Sequence, residues 1–396
     1  MEHKPSNFEF NLPVPIYFGV DSTQKLPEIC KKFGTSILLV TSKDISHIEK
    51  KILSILENSY FSIDSLYLES PEPSCSYIDS IAKDLSSKKF DCIIGLGGGS
   101  AMDMAKSLSI ALTNPEPIWS YANLSYRLPK PILKKTLPVI LIPTTAGTGS
   151  EVTPYAVLTN SEIEQKGTIQ EVAIFSKAAI IDPSIMTSMP NDLTAFTGMD
   201  AFAHGLESCM NISKKSPISE LTGIESMKII IQCLPEILET ASNLELRTKL
   251  AWASTLAGIA IAHRGTTTAH AIAETMGGLI KIPHGIAVAI STIPVLKATL
   301  QSNPDSLSTL YDKLFFDDII KSTQDKANTL VNSVSQLLEK VGLNKHVNNY
   351  HDTSSDFPDK ILNNLLNFKY RPLKQHPVEF NNETLKKIIE EIIYAQ

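Results

Sequence analysis

The chain has little of what would make it a disulfide-stapled, membrane-bound or nucleic-acid-binding protein. Its five cysteines, Cys30, Cys75, Cys92, Cys209 and Cys233, are odd in number, scattered, and never paired as CxxC. That argues against a disulfide framework and a thiolate metal site, and leaves them as small apolar side chains. Positive charge is short: 36 Lys and Arg against 42 Asp and Glu give a formal net charge of -6, which offers no basic face to nucleic acid. No apolar stretch is long and uninterrupted enough to span a bilayer. The opening MEHKPSNFEFNLP lacks the apolar core of a signal peptide, so a cytoplasmic location is expected by default.

What is present is a chain whose two halves are patterned differently. SILLV (36–40) reads as a buried strand, and SIDSLYL (62–68), DCIIGLG (91–97) and LPVILIPTT (137–145) read as a second, third and fourth strand. Between them run helical stretches. In 43–58, Ile45, Ile48, Ile52 and Ile55 recur at spacings of three and four, and 77–87 is a second such stretch. Strands alternating with helices predict a parallel sheet with helices on its faces. After about residue 185 the strands thin out, and helices are expected over 192–211, 217–240, 246–279, 324–341 and 384–394. Asp182-Pro183 and Pro190 punctuate the change. The expected organisation is an α/β domain over 1–185 and an all-helical domain over 186–396.

Two loops interrupt the α/β half. GGGSAMDMAK (97–106) follows a buried strand and opens a helix. Glycines let backbone approach an anion, and a helix start offers free N–H groups and a positive dipole end. Ser100 is placed to cap that helix and Asp103 falls in its first turn. The spacing is neither GxGxxG nor a Walker loop, so on its own the stretch also suits a tight turn that binds nothing. PTTAGTGSE (143–151) tips the balance. It too follows an apolar strand, and two such loops at neighbouring strand ends would face one ligand crevice.

Four residues stand out in the helical half. Asp200 and His204 share a helix face about 6 Å apart along the axis. His270 lies in a helical stretch, and His284 lies at a turn marked by Pro283 and Gly285. One carboxylate and three imidazoles form a ligand set for Fe2+ or Zn2+, without thiolates. Singly, each has an ordinary reading as a packed or solvated side chain. His263 precedes His270 by two turns, about 10.5 Å on an unbroken helix, so both cannot ligate one ion. It is expected to line a substrate pocket or stand behind the ligands. His376 lies in polar, loop-like sequence and is set aside.

Together PVPIYFG (13–19), GGGSAMDMAK, PTTAGTGSEVTPYAVLTN (143–160), AAIIDP (178–183), GMDAFAHGLES (198–208) and HAIAETMGGLIKIPHGIAVAI (270–290) resemble the iron-containing (group III) alcohol dehydrogenase family. The resemblance covers nearly the whole chain. It implies a dinucleotide-binding domain followed by a helical metal-binding domain. It also implies hydride transfer between NAD(P) and a small alcohol or aldehyde whose oxygen the metal polarises. Carried over by position, Gly97, Gly98, Gly99 and Ser100 would hold the pyrophosphate with Asp103 beside it. Thr144, Thr145, Thr148 and Ser150 would meet phosphate, ribose or nicotinamide. Asp200, His204, His270 and His284 would bind Fe2+ or Zn2+. A homo-oligomer, dimer or larger, is expected from the same resemblance.

Two positions depart from the family pattern. Many members carry a second histidine four residues after the third ligand; here it is Glu274, which shares a helix face with His270 and is expected in the pocket. Arg264 is expected to pair with a carboxylate such as Glu274. NAD-preferring members often carry an Asp after the first strand of the sheet, for the ribose 2'-OH. The matching position is Ser42, followed by Lys43, so the cofactor expectation leans to NADP(H), although Asp44 is one alignment step away. Rival readings are a glycerol-dehydrogenase-like or dehydroquinate-synthase-like enzyme of the same architecture, or a non-catalytic nucleotide-binding relative.

Overall fold

Residues 7–57, 59–70, 72–213, 216–315, 322–343 and 356–394 are described by a computed structural model. They form two units. One comprises Leu12–Pro190 with Ala241–Ala251; the other comprises Met1–Asn11, Asn191–Thr240 and Trp252–Gln396.

In the first unit a six-stranded parallel sheet is built from β1 (Ile16–Phe18), β2 (Ser36–Thr41), β3 (Ser62–Tyr67), β4 (Cys92–Gly97), β5 (Val139–Pro143) and β8 (Ala178–Ile181). The order across the sheet is β1-β8-β5-β4-β2-β3. The central strands are apolar along their whole length because helices cover both faces; β4, CIIGLG, is buried at every residue. Helices α1 (Leu26–Lys31), α2 (Ser46–Glu57), α3 (Cys75–Asp84) and α4 (Gly99–Ala111) connect them. The chain runs outward from β2 to β3, then returns to place β4 on the other side of β2. The carboxyl ends of β2 and β4 therefore flank the point where strand order reverses, the place where open α/β sheets take ligands. Register pairs Val40 with Gly95 and Gly97 with Pro143, so Ser42, Gly97–Gly99 and the loop after Pro143 lie at one end of the sheet.

A hairpin of β6 (Tyr155–Asn160) and β7 (Gln165–Gln170) was not foreseen. Its turn, 161–164, has none of the usual Asn-Gly or Asp-Gly chemistry and reaches left-handed backbone at Glu164 (φ 51°).

The second unit is helical: α5 (Asn191–Met210), α6 (Pro217–Glu239), the latter part of α7 (Leu244–Arg264), α8 (Thr268–Ile280), α9 (His284–Ser302), α10 (Pro304–Leu314), α11 (Thr323–Lys340), α12 (Phe357–Phe368), α13 (Tyr370–Gln375) and α14 (Asn382–Tyr394). Its core gathers Ile272, Met276, Ile286, Val295, Phe357, Ile361 and Ile389 from α8, α9, α12 and α14. The single helix expected over 246–279 is two helices. Gly265, at φ 73°, ends α7, and three threonines follow before α8 is under way. The expectation that no segment could span a bilayer also needs correction: α9 passes on length and composition. Yet 61% of its apolar window is buried inside the protein, and it carries Pro294, as core helices of soluble folds can.

Candidate active site

At the sheet end, Gly97 adopts φ 152°, a conformation that disfavours any side chain, and a Cβ there would lie 2.7 Å from Ala101 Cβ. Its carbonyl accepts from Thr144 N–H at 2.9 Å, joining the two small-residue loops. Helix α4 begins at Gly99 with Gly98 as its N-cap and no side-chain cap. Ser100 is thus inside the helix rather than capping it, because the glycines, not a hydroxyl, make the turn. Gly99 packs so closely that a Cβ would meet the Thr148 side chain at 2.8 Å. Thr144 is buried, while Thr145 and Thr148 are half-buried.

Asp103 and Ser150 are brought together, but by each other. Asp103 accepts from Ser150 Oγ at 2.7 Å and from Val157 N–H at 2.9 Å. Burial pushes the Asp103 carboxyl up against the opposing pull of the Lys106 ammonium. Lys106, absent from the sequence expectation, is fully buried and donates to Ser150 O (2.6 Å), Ser150 Oγ (2.8 Å), Thr153 O (3.0 Å) and Tyr155 O (2.7 Å). Burial lowers it to about 8. Asp103 and Lys106 therefore clamp the 150–157 segment onto α4, shaping the loop from beneath.

Ser42 ends β2. Its Oγ donates to Asp44 Oδ2 at 3.2 Å, and Lys43 Nζ lies 5.9 Å from the Tyr67 ring centroid.

In the helical unit Asp200, His204, His270 and His284 converge, with one donor atom from each lying within 4.8 Å of the others. Asp200 Oδ1 is 3.8 Å from His204 Nε2, 3.4 Å from His270 Nε2 and 3.5 Å from His284 Nε2. Helix α5 supplies the first two from one face. His270 stands in the first turn of α8, and His284 opens α9 after Pro283. His204 and His270 stack at 4.6 Å between centroids. His284 keeps 34% of its side chain exposed while Asp200 keeps 3%, so the group opens on the His284 side. Asp200 Oδ1 and His270 Nε2 are buried without a hydrogen-bond partner, a costly state that a shared cation would relieve. Burial raises the Asp200 carboxyl, but the three imidazoles outweigh it and hold it well below the usual range.

Behind His270 stands Glu207, which sequence reading missed. It lies one turn beyond His204 on α5, in the HGLE stretch, and that i, i+3 spacing was the available signal. Its Oε1 accepts from His270 Nδ1–H at 2.6 Å, and its Oε2 from Thr267 Oγ1–H at 2.8 Å and from Thr267 N–H. Thr267 Oγ1 in turn lies 3.1 Å from Nδ1 of His376, whose Nε2 is 2.9 Å from Thr299 Oγ1. His376, set aside as loop-like, is buried at 2% exposure.

The remaining expectations fare differently. His263 does not join the four. Its ring stacks on Phe10 at 4.0 Å, and Nε2 sits 2.9 Å from Asn11 O. Arg264 does not reach Glu274. It donates to Asn211 O and lies 4.0 Å from Glu220, because the break at Gly265 turns it away. Glu274 instead pairs with Lys369, a partner remote in sequence, and both are largely buried.

Residues 13–183 match the family model described as iron-containing alcohol dehydrogenase, and residues 194–393 match that of the C-terminal part of the Fe-containing alcohol dehydrogenase family. The chain belongs to that family: it is an alcohol dehydrogenase whose reaction depends on a metal. It is similar to the 1,3-propanediol dehydrogenase of Citrobacter freundii, 30% identical over 89% of this chain and 90% of that one. Among solved structures, an archaeal halo-thermophilic alcohol dehydrogenase from a Red Sea brine pool superposes with a TM-score of 0.90 at 28% identity, covering 98% of this chain and 100% of that one. A sulfoacetaldehyde reductase from Bifidobacterium kashiwanohense in complex with NAD+ gives 0.84 at 25% identity, covering 99% and 100%.

Proposed function

We propose that Asp200, His204, His270 and His284 hold a divalent iron, and that the chain passes a hydride between a nicotinamide cofactor and a small alcohol or aldehyde at that ion. The convergence of four donor atoms around the unpartnered Asp200 Oδ1 carries the reading. Three imidazoles and one carboxylate suit Fe2+ and also Zn2+. When bound, the metal acts as a Lewis acid on the substrate oxygen.

The protein's own groups supply placement. In this reading the 1–185 domain binds cofactor and the 186–396 domain binds metal and substrate. Gly97, Gly98, Gly99 and the start of α4 cradle the pyrophosphate, since no side chain caps the first turn. Thr144, Thr145 and Thr148 border the cofactor, while Ser100, Asp103 and Ser150 shape that wall. Asp103 and Ser150 act through their mutual hydrogen bond and Lys106. Glu274, one turn from His270 and neutralised by Lys369, lines the substrate pocket. The NAD+ complex of the sulfoacetaldehyde reductase supports NAD as a cofactor. Ser42 leaves no carboxylate at the ribose position itself, and Lys43 follows it, which leans the choice toward NADP(H). A homo-oligomer in the cytoplasm completes the proposal.

The test is anaerobic aldehyde reduction by metal-stripped protein, with Fe2+ or Zn2+ restored and NADH and NADPH run in parallel. Metal-dependent oxidation of either cofactor is expected. Turnover that persists after complete metal removal refutes the reading.

A further inference from the structure

We propose that Glu207 is a positioning residue for the metal: it supplies the second negative charge that a divalent ion at Asp200 needs, and orients His270 toward it. The inference rests on the metal reading above. Glu207 is 3% exposed, and its carboxylate faces His270 and Thr267. Its two oxygens accept four hydrogen bonds: His270 Nδ1–H and His270 N–H on Oε1, Thr267 Oγ1–H and Thr267 N–H on Oε2.

A buried carboxylate so placed is solvated entirely by donors, and its charge still needs a counter-charge. His270 connects it to the place where the donor atoms of Asp200, His204, His270 and His284 converge. With Nδ1–H given to Glu207, the neutral imidazole has its lone pair on Nε2, which is 3.4 Å from Asp200 Oδ1 and faces the shared site. The charges then balance: Asp200 and Glu207 provide two, and a divalent ion provides two, with the three imidazoles neutral. Asp200 alone would leave a buried net positive charge.

The interruption between α7 and α8 serves this arrangement. Gly265 at φ 73° ends α7, and the chain then presents both donors of Thr267 to one oxygen. Thr267 Oγ1, having given its proton to Glu207, accepts from His376 Nδ1–H at 3.1 Å, so His376 sets the hydroxyl's direction. The carboxylate is thus held from a segment more than a hundred residues away.

Full-length protein stripped by chelator is titrated with Zn2+ in competition with a chromogenic chelator. Glu207→Gln keeps the volume but removes the charge and sets an amide N–H against a donor. It is expected to weaken Zn2+ binding by about 10- to 100-fold while urea unfolding remains cooperative. Wild-type affinity in a folded Glu207→Gln overturns the proposal. Thr267→Val, which keeps the charge and loses one hydrogen bond, is expected to bind several-fold more weakly, with Thr267→Ser restoring wild-type affinity. If Glu207→Gln does not fold, this pair decides: equal affinity in Thr267→Val and wild type overturns the proposal. Failure of the wild-type protein to bind Zn2+ overturns the metal reading itself, and is seen without any variant.

Discussion

His376 gives the sharpest test of the buried network. Its ring lies between Thr267 and Thr299, 2% exposed, and burial pushes it down to about 4 from an ordinary 6.5. In the folded chain the imidazole therefore stays neutral down to about pH 4, whereas the unfolded chain takes up a proton below about pH 6.5. Between those values the unfolded state binds more protons, so stability falls as pH falls. The contribution is whole above the unfolded value and exhausted below the folded one. Integrating the two titrations gives a loss of about 2 kcal/mol between about pH 7.5 and about pH 5, tending to about 3 kcal/mol below pH 4. His376→Asn removes the titration while keeping a donor near Nδ1. It should be less stable than wild type at about pH 7.5, by about 1 to 2 kcal/mol for the lost Thr299 contact. The gap should close by about 2 kcal/mol at about pH 5. Equilibrium urea unfolding of both proteins at the two pH values reads this directly. Parallel pH dependences of wild type and variant would refute the claim that His376 is a buried neutral ring.

Three further outcomes are expected. Ser42→Asp should raise the ratio of NADH to NADPH efficiency by about 10-fold or more, because a carboxylate there repels a 2'-phosphate; an unchanged ratio in steady-state kinetics means Ser42 is not at the ribose. Gly285→Ala would set a Cβ 2.5 Å from Phe196 O, forcing the first turn of α9 away from α5 and His284 away from Asp200. Metal titration should then show weakened binding, with a stability loss of about 1 to 3 kcal/mol, and wild-type metal affinity would contradict the packing argument. Glu274→Gln should change the KM for aldehyde and the pH–rate profile while leaving the KM for the cofactor unmoved; unchanged aldehyde kinetics across pH would make Glu274 and Lys369 a purely structural pair.

The parts legible in the sequence are those whose signal is local. Period and apolarity place β2, β4 and β5, because strands covered on both faces must be apolar throughout. Periodicity also places α2 and α5. The hairpin β6–β7 and helices α9, α10 and α12 escaped: 161–164 lacks hairpin chemistry, and Pro283 with Gly285 reads as a turn. In the structure Pro283 caps, Pro304 starts and Pro294 is carried within a helix. Local reading likewise favoured Ser100 as a cap and Arg264 beside Glu274; a glycine turn and a helix break displaced both.

By itself the sequence determined the parallel α/β half, the helical half and the two small-residue loops, and it singled out Asp200, His204, His270 and His284 as candidate ligands. These follow from periodicity, chain punctuation and the donor chemistry of a few side chains, all of which act over a turn or two. Only the tertiary structure decided that Glu207, Thr267 and His376 stand behind His270, that Lys369 neutralises Glu274, and that Asp103 and Lys106 clamp the loop at Ser150. Each joins side chains 44 to 109 residues apart or places an ionisable group out of water. The partner of a buried charge is chosen by whichever donors the packed helices deliver to it, and no local spacing records that choice.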